Sequence, residues 1–143
     1  MTNSYAIEKS TGFIIYRTAL AMRGALKRTL KERGFDITPE QYGILLLLRE
    51  KEGLSQKEIG DVLFKDKPNI SRMLDVLERK RLILRQSTDR RKYAVFLTEE
   101  GRRLAEEILP VKLQLQERTM NGLLAREIET LESLLNKIYA NIG

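Results

Sequence analysis

Apolar residues along the chain fall into helical periods at both ends and into shorter, capped runs between them. Ile15, Ala19, Met22, Leu26 and Leu30 recur at steps of three and four, which puts one apolar stripe on a helix over residues 5–33. Gly34 follows Arg33, where a helix end favours glycine. Thr38-Pro39-Glu40-Gln41 then supplies an N-cap, a proline at the first helical position and a capping-box glutamine. The helix it opens runs through YGILLLLREKE and stops at Gly53. Ser55-Gln56-Lys57-Glu58 is a second capping box, for a short helix through Ile59, Val62 and Leu63. After the turn FKDK, a helix over 68–80 carries Ile70, Met73, Leu74 and Leu77 on one face.

The period then changes. LILRQS and YAVFLT are rich in branched and aromatic residues and read as two strands, joined by the charged turn around Asp89-Arg90-Arg91-Lys92. Thr98-Glu99-Glu100 caps a fifth helix with the stripe Leu104, Ile108, Val111 and Leu115, which Pro110 is expected to kink. After Gly122 the last helix shows Leu124, Ile128, Leu131, Leu135, Ile138 and Ile142, the alternating steps of a coiled-coil seam. Two short helices joined by a tight turn and followed by a hairpin make a helix-turn-helix candidate over residues 38–98. The helices on either side, 5–33 and 99–142, have apolar faces left over. Folding back on the core would bury some of them, and pairing with a second copy would bury more, in an isologous two-fold interface.

Composition narrows the chemistry. The 143 residues suit one domain, 1–143, with a modest core. The net charge is +6, unevenly placed. Residues 55–93 hold 11 cations and 6 acids, whereas residues 94–143 hold 6 cations and 8 acids. The middle of the chain therefore faces an anionic partner. Cysteine and histidine are both absent, which removes disulfides, thiol sensing, Cys/His zinc sites and imidazole catalysis. The longest apolar run, Ile44 to Leu48, is far short of the ~20 residues of a membrane span, and the N-terminus lacks the apolar stretch of a signal peptide. A cytoplasmic protein without membrane contact is expected. Serine and threonine have no base to activate them, and no phosphate-cradling glycine motif occurs, so an enzyme is the weakest class. Nothing calls for a cofactor or a metal.

Three like charges in a row repel one another at a hairpin tip unless a polyanion meets them. Projecting beyond a helix-turn-helix, such a tip reaches along a duplex into the neighbouring groove, where arginine gains most in a narrow minor groove. Asp89 can hold an arginine side chain extended before DNA arrives. On the outer face of helix 68–80, Asn69, Ser71 and Arg72 are candidates for base edges, and Arg79 for the backbone. Lys57, Lys65, Lys67 and Arg85 are candidate phosphate neutralisers.

The run from Leu54 to Leu104 resembles the MarR family of bacterial and archaeal transcription regulators. The strongest marks are DRR in the hairpin, LTEEG opening the next helix, and SRMLDVLERKRLI leading into the hairpin. The resemblance implies a mainly α, α+β fold: a winged helix-turn-helix core with a two-stranded wing hairpin, flanked by N- and C-terminal dimerisation helices. It implies that Asp89 and Arg91 match the family's wing acid and minor-groove arginine, with Arg90 between them contacting the backbone. It further implies a homodimer on a pseudo-palindromic double-stranded DNA operator, acting as a repressor that a small anionic or phenolic effector releases. Such an effector would enter a cleft between the dimer helices and the winged core, near Tyr16 and Tyr42, both read as core aromatics. Two residues depart from the family pattern. Arg81 stands where glycine is usual, and a left-handed conformation there would strain it by roughly 1 kcal/mol. Gly60 stands where alanine is usual, so its helix is either weaker or closer to its neighbour. The rival to a sequence-specific regulator is a winged-helix protein-interaction module that offers the same face to an acidic protein.

Overall fold

The computed structural model describes residues 6–63, 67–87 and 93–143. A short 3-10 turn at Ile7–Lys9 precedes α1 (Thr11–Glu32), followed by α2 (Pro39–Glu50), β1 (Leu54–Ser55), α3 (Gln56–Leu63), α4 (Lys67–Arg79), β2 (Ile83–Ser87), β3 (Tyr93–Leu97), α5 (Glu99–Thr119) and α6 (Ala125–Ile142). Mainly helical, with one small antiparallel sheet, this is a winged helix-turn-helix. α1 starts later than its apolar stripe predicts. Ser10 stops it, its hydroxyl accepting the Phe13 N–H at 3.3 Å as an N-cap. At the other end Phe35 N–H donates to Leu30 O and Gly34 N–H to Lys31 O, with Gly34 at φ 80°, which closes the helix as its glycine foretells.

α2 also departs from expectation. Both bonds of the Thr38/Gln41 capping box form at 3.1 Å, but the helix ends at Glu50 rather than reaching Gly53. Gly53, at φ 80°, instead turns the chain into β1 and donates its N–H to Val95 O at 3.0 Å. β1 pairs with β3 at Leu54↔Val95 and Ser55↔Ala94, and β2 pairs along the other side of β3 from Ile83↔Leu97 to Ser87↔Tyr93. The wing sheet therefore has three strands in the order β1-β3-β2, not two. Two residues are too few to show a period, so β1 left no pattern to read.

One core lies under the helix-turn-helix. Tyr42, Ile44, Leu45 and Leu48 of α2 meet Ile59 of α3, Ile70, Leu74 and Leu77 of α4, Ile83 and Val95 of the sheet, and Ile108 of α5, all of them buried. Each burial of this size removes on the order of 2 kcal/mol of apolar contact with water. Two residues expected inside are not. Val62 points to solvent from α3, where only Ile59 is buried, and Tyr16 on α1 is exposed too. Of the α1 stripe, only Leu30 is fully covered. α6 buries none of its side chains.

α4 ends in a turn that glycine usually makes. Arg81 N–H donates to Glu78 O and Leu82 N–H to Leu77 O, which requires Arg81 at φ 61°. The left-handed conformation is therefore real, and arginine adopts it at a strain of roughly 1 kcal/mol. α5 is seated on this corner. Thr98 N–H donates to Leu82 O at 3.1 Å, and its hydroxyl donates to Arg81 O at 2.7 Å while accepting the Gly101 N–H at 3.0 Å. Gly101 is buried there, and only glycine fits, because a Cβ would collide with the Leu82 carbonyl oxygen. α5 continues through Pro110, whose missing N–H leaves the Glu106 carbonyl without its helical donor.

Gly101→Ala is expected to destabilise the protein by about 3 kcal/mol, because the colliding atom is backbone on both sides. Gly60→Ala should act the other way. Its methyl would stand 3.7 Å from Ile70 Cγ1, ordinary contact distance, so the glycine weakens α3 rather than admitting a close neighbour. A gain of about 0.5–1 kcal/mol is expected. Urea unfolding of the two variants beside the parent chain measures both.

Candidate nucleic-acid interface

α3 and α4 form the helix pair, and α4 divides cleanly into two faces. Ile70, Leu74 and Leu77 are buried with Met73 partly so, while Asn69, Arg72, Asp75, Glu78 and Arg79 are exposed. Ser71 is half-buried at the edge of that outer face. The three base-edge candidates thus lie together in the first turns of the helix, with Arg79 two turns further along. Lys67 is the first residue of α4. Lys57 sits on the first turn of α3, exposed and 3.2 Å from Asp61, a pairing that water weakens and a phosphate can displace. Lys65 and the turn Asp89, Arg90, Arg91, Lys92 lie outside the described residues; the turn links Ser87 of β2 to Tyr93 of β3.

Arg85 stands apart from the other phosphate candidates. From β2 its guanidinium donates to Asp75 at 2.7 Å and to Glu78 at 2.9 Å, and its side chain is largely covered. The hydrogen bond from Arg85 holds the Glu78 carboxyl below the usual range. Among the described residues, Arg72 and Arg79 make no ion pair. The result is a helix surface whose two acids share one cation from behind, leaving one net negative charge, while its arginines stay available. Spacing along α4 alone could not reveal this, because the neutralising cation comes from another element.

A cleft of about 460 Å³ lies between α1 and α5, over the start of α2, lined by Met22, Leu26, Pro39, Leu115 and Met120 with the cations Arg23 and Lys112 at its walls. Arg23 reaches across to Glu40 in a two-pronged bond, 2.6 Å on each prong, which holds the Glu40 carboxyl below its usual range. Tyr42 lies beneath Lys112, whose Nζ is 5.5 Å from the ring centre, and burial pushes its phenol up. The Tyr42 hydroxyl and Arg49 Nε are buried with no hydrogen-bond partner among the described residues. Within the same residues no group of acids could hold a metal ion, and no helix is long and apolar enough to cross a membrane.

The family model described as MarR family matches residues 35–92, the helix-turn-helix and most of the wing. The organic hydroperoxide resistance transcriptional regulator of Bacillus subtilis is 31% identical over 135 residues, which are 93% of this chain and 87% of that protein. The chain belongs to the MarR family. A second relative, the transcriptional regulator TtmR of Methylorubrum extorquens, is 30% identical over 135 residues, 93% of this chain and 66% of TtmR. Among solved MarR-like structures, BpsR of Bordetella bronchiseptica superposes with a TM-score of 0.84 at 26% identity, over 96% of this chain and 99% of that one. DNA binding by BpsR is regulated by 6-hydroxynicotinic acid. Like these relatives, the chain is a transcriptional regulator.

Arg85→Gln should lower the melting temperature at neutral pH by freeing Asp75 and Glu78 to repel one another. Glu78 has a depressed carboxyl in the folded chain, so its share of stability is present above the ordinary carboxylate range and fades as pH falls through the lower folded value. The gap between variant and parent should therefore shrink on acidification, as melting curves from pH 7 down to pH ~3 will show.

Proposed function

We propose that this MarR-family chain acts as a homodimeric repressor that reads a pseudo-palindromic duplex operator with α4 and releases it when a small anionic or phenolic molecule enters the α1–α5 cleft. The observation that carries the reading is the outer face of α4. Asn69, Ser71 and Arg72 stand at the end of the helix that meets base edges in this class of motif. Arg79 remains a free cation for the sugar-phosphate backbone, and Arg85 partly offsets the two acids that would repel it. Lys57 adds charge on α3, and the sequence supplies Lys65, Lys67, Asp89, Arg90, Arg91 and Lys92 as further candidates for the duplex. Two such faces, one turn of DNA apart, require a dimer.

The dimer has its material in the terminal helices. Leu124, Leu131, Leu134, Leu135, Ile138 and Ile142 are exposed on α6, and Ile14, Leu20 and Met22 on α1. A contiguous apolar surface of that kind marks an interface. The cleft suits the effector by its chemistry: an apolar floor for a ring and Lys112 for one negative charge, with Arg23 already held by Glu40. BpsR, with 6-hydroxynicotinic acid, offers a relative whose ligand has that character. With no cysteine in the chain, a thiol cannot be the sensor.

Selection of bound genomic fragments followed by fluorescence titration on one operator and one scrambled duplex tests the reading. Arg72→Ala should weaken operator binding by about 1–3 kcal/mol and relax discrimination at one base pair per half-site. Asp89→Ala should weaken it as well, because the acid aims Arg91; tighter binding would reject that role. Failure of the parent chain to prefer any fragment over competitor DNA would favour a protein partner instead. Removing residues 123–143 should abolish the dimer, and a truncated chain that still sediments as a stable dimer would place the interface elsewhere.

A further inference from the structure

A second hollow, of about 500 Å³, opens beside the α1–α5 cleft, between the end of α1, the turn that follows it and Lys80 just past α4. Its side-chain donors converge from three elements. Lys27 and Lys31 stand one turn apart on α1, a like-charged pair that destabilises a helix by a few tenths of a kcal/mol if nothing lies between them. Lys80 enters from the far side, positioned by a 2.7 Å bond from its Nζ to the Asp36 carbonyl, and is 3.5 Å from the Asp36 carboxylate. That carboxylate is the one acid among the lining residues, and its side chain is fully exposed.

Gln41 makes this more than a patch of lysines. It is only 8% exposed and forms part of the wall. Its amide orientation is fixed by chemistry, since the Thr38 N–H can only donate and so must meet the oxygen, Oε1, at 3.1 Å. The amide nitrogen is left with two hydrogens and no acceptor among the described residues. The Thr38 hydroxyl, which accepts the Gln41 N–H, likewise keeps its own proton to donate. The hollow therefore presents three ammonium groups, the unpaired amide nitrogen of the mostly buried Gln41 and a hydroxyl donor, with the exposed Asp36 carboxylate beside Lys80 and the Glu40 carboxylate near Lys27.

The geometry points to a binding site for a small phosphorylated molecule, held by Lys27, Lys31 and Lys80 with Gln41 Nε2 and Thr38 Oγ1 directing its oxygens. DNA phosphate has the same chemistry, but Lys80 is half-buried and its Nζ is bonded to the Asp36 carbonyl ahead of α2, whereas Arg72 and Arg79 stand exposed on the outer face of α4. A free ligand is favoured on that ground. Bound there, it bridges α1 to the end of α4.

Titration calorimetry of the full chain with inorganic pyrophosphate tests the site. One saturable event per chain is expected, weakened about tenfold by Gln41→Glu and by Lys27→Gln, the loss of one charge-assisted contact. Gln41→Glu keeps the acceptor that the Thr38 N–H needs, so it should melt with the parent chain; Lys27→Gln, on an exposed position, guards against any failure of folding. Lys51→Gln, a cation elsewhere on the surface, should bind pyrophosphate as the parent does. No saturable binding, equal binding by Gln41→Glu, or an equal loss in Lys51→Gln would each overturn the site. The operator affinity of Gln41→Glu and its salt dependence, without pyrophosphate, should be unchanged; a shallower salt slope would assign the hollow to the DNA backbone and overturn the free ligand.

Discussion

The contact between Gly101 and the carbonyl of Leu82 fixes how the reading helix, the wing and the long helix α5 meet. α4 must stop, β2 must start and α5 must turn away, all within the space around one peptide group. Arg81 supplies the left-handed turn, Thr98 ties its own backbone and hydroxyl to Arg81 and Leu82, and Gly101 lets the helix axis come close enough for that tie to form. The arrangement accepts an unfavourable conformation at Arg81 because the surrounding bonds over-determine it.

Much of this was legible in the sequence, and the parts that were not share a cause. Capping boxes announce themselves, so the starts of α2 and α3 were readable from Thr38/Gln41 and Ser55/Glu58, as was the end of α1 from Gly34. Periodicity gave the buried face of α4. It could not give β1, which is too short to have a period, nor separate apolar residues that face the chain's own core from those that do not. Val62 and Tyr16 sit on the same stripes as buried residues and yet face water. The position of Arg81 could be singled out, but its φ depends on the turn that Leu77 and Leu82 close across it.

The site was legible in position more than in partnership. Asn69, Ser71, Arg72 and Arg79 lie on the side of α4 that its apolar stripe leaves over, so the helical period located them. Arg85 could not be assigned the same way. Seven and ten residues from its carboxylates, it meets them only because β2 returns alongside α4. Gln41 carried a helix-start signal that was correct, and the same bond that makes it a cap turns its amide nitrogen outward. One residue can thus serve the backbone with one atom and a ligand with another.

α6 has a consequence for dosage. α6, 18 residues long, fully buries no side chain and has Ile128 partly covered, so packing among the described residues adds little of the tertiary support on which most helices depend. In the proposed dimer the second copy supplies that support, and the chain's stability then depends on how much of it is present. In a dividing cell the number of functional pairs then rises with the square of the chain count while that count is low. Halving the supply at division would silence the pair more than proportionately, and modest synthesis would restore it abruptly.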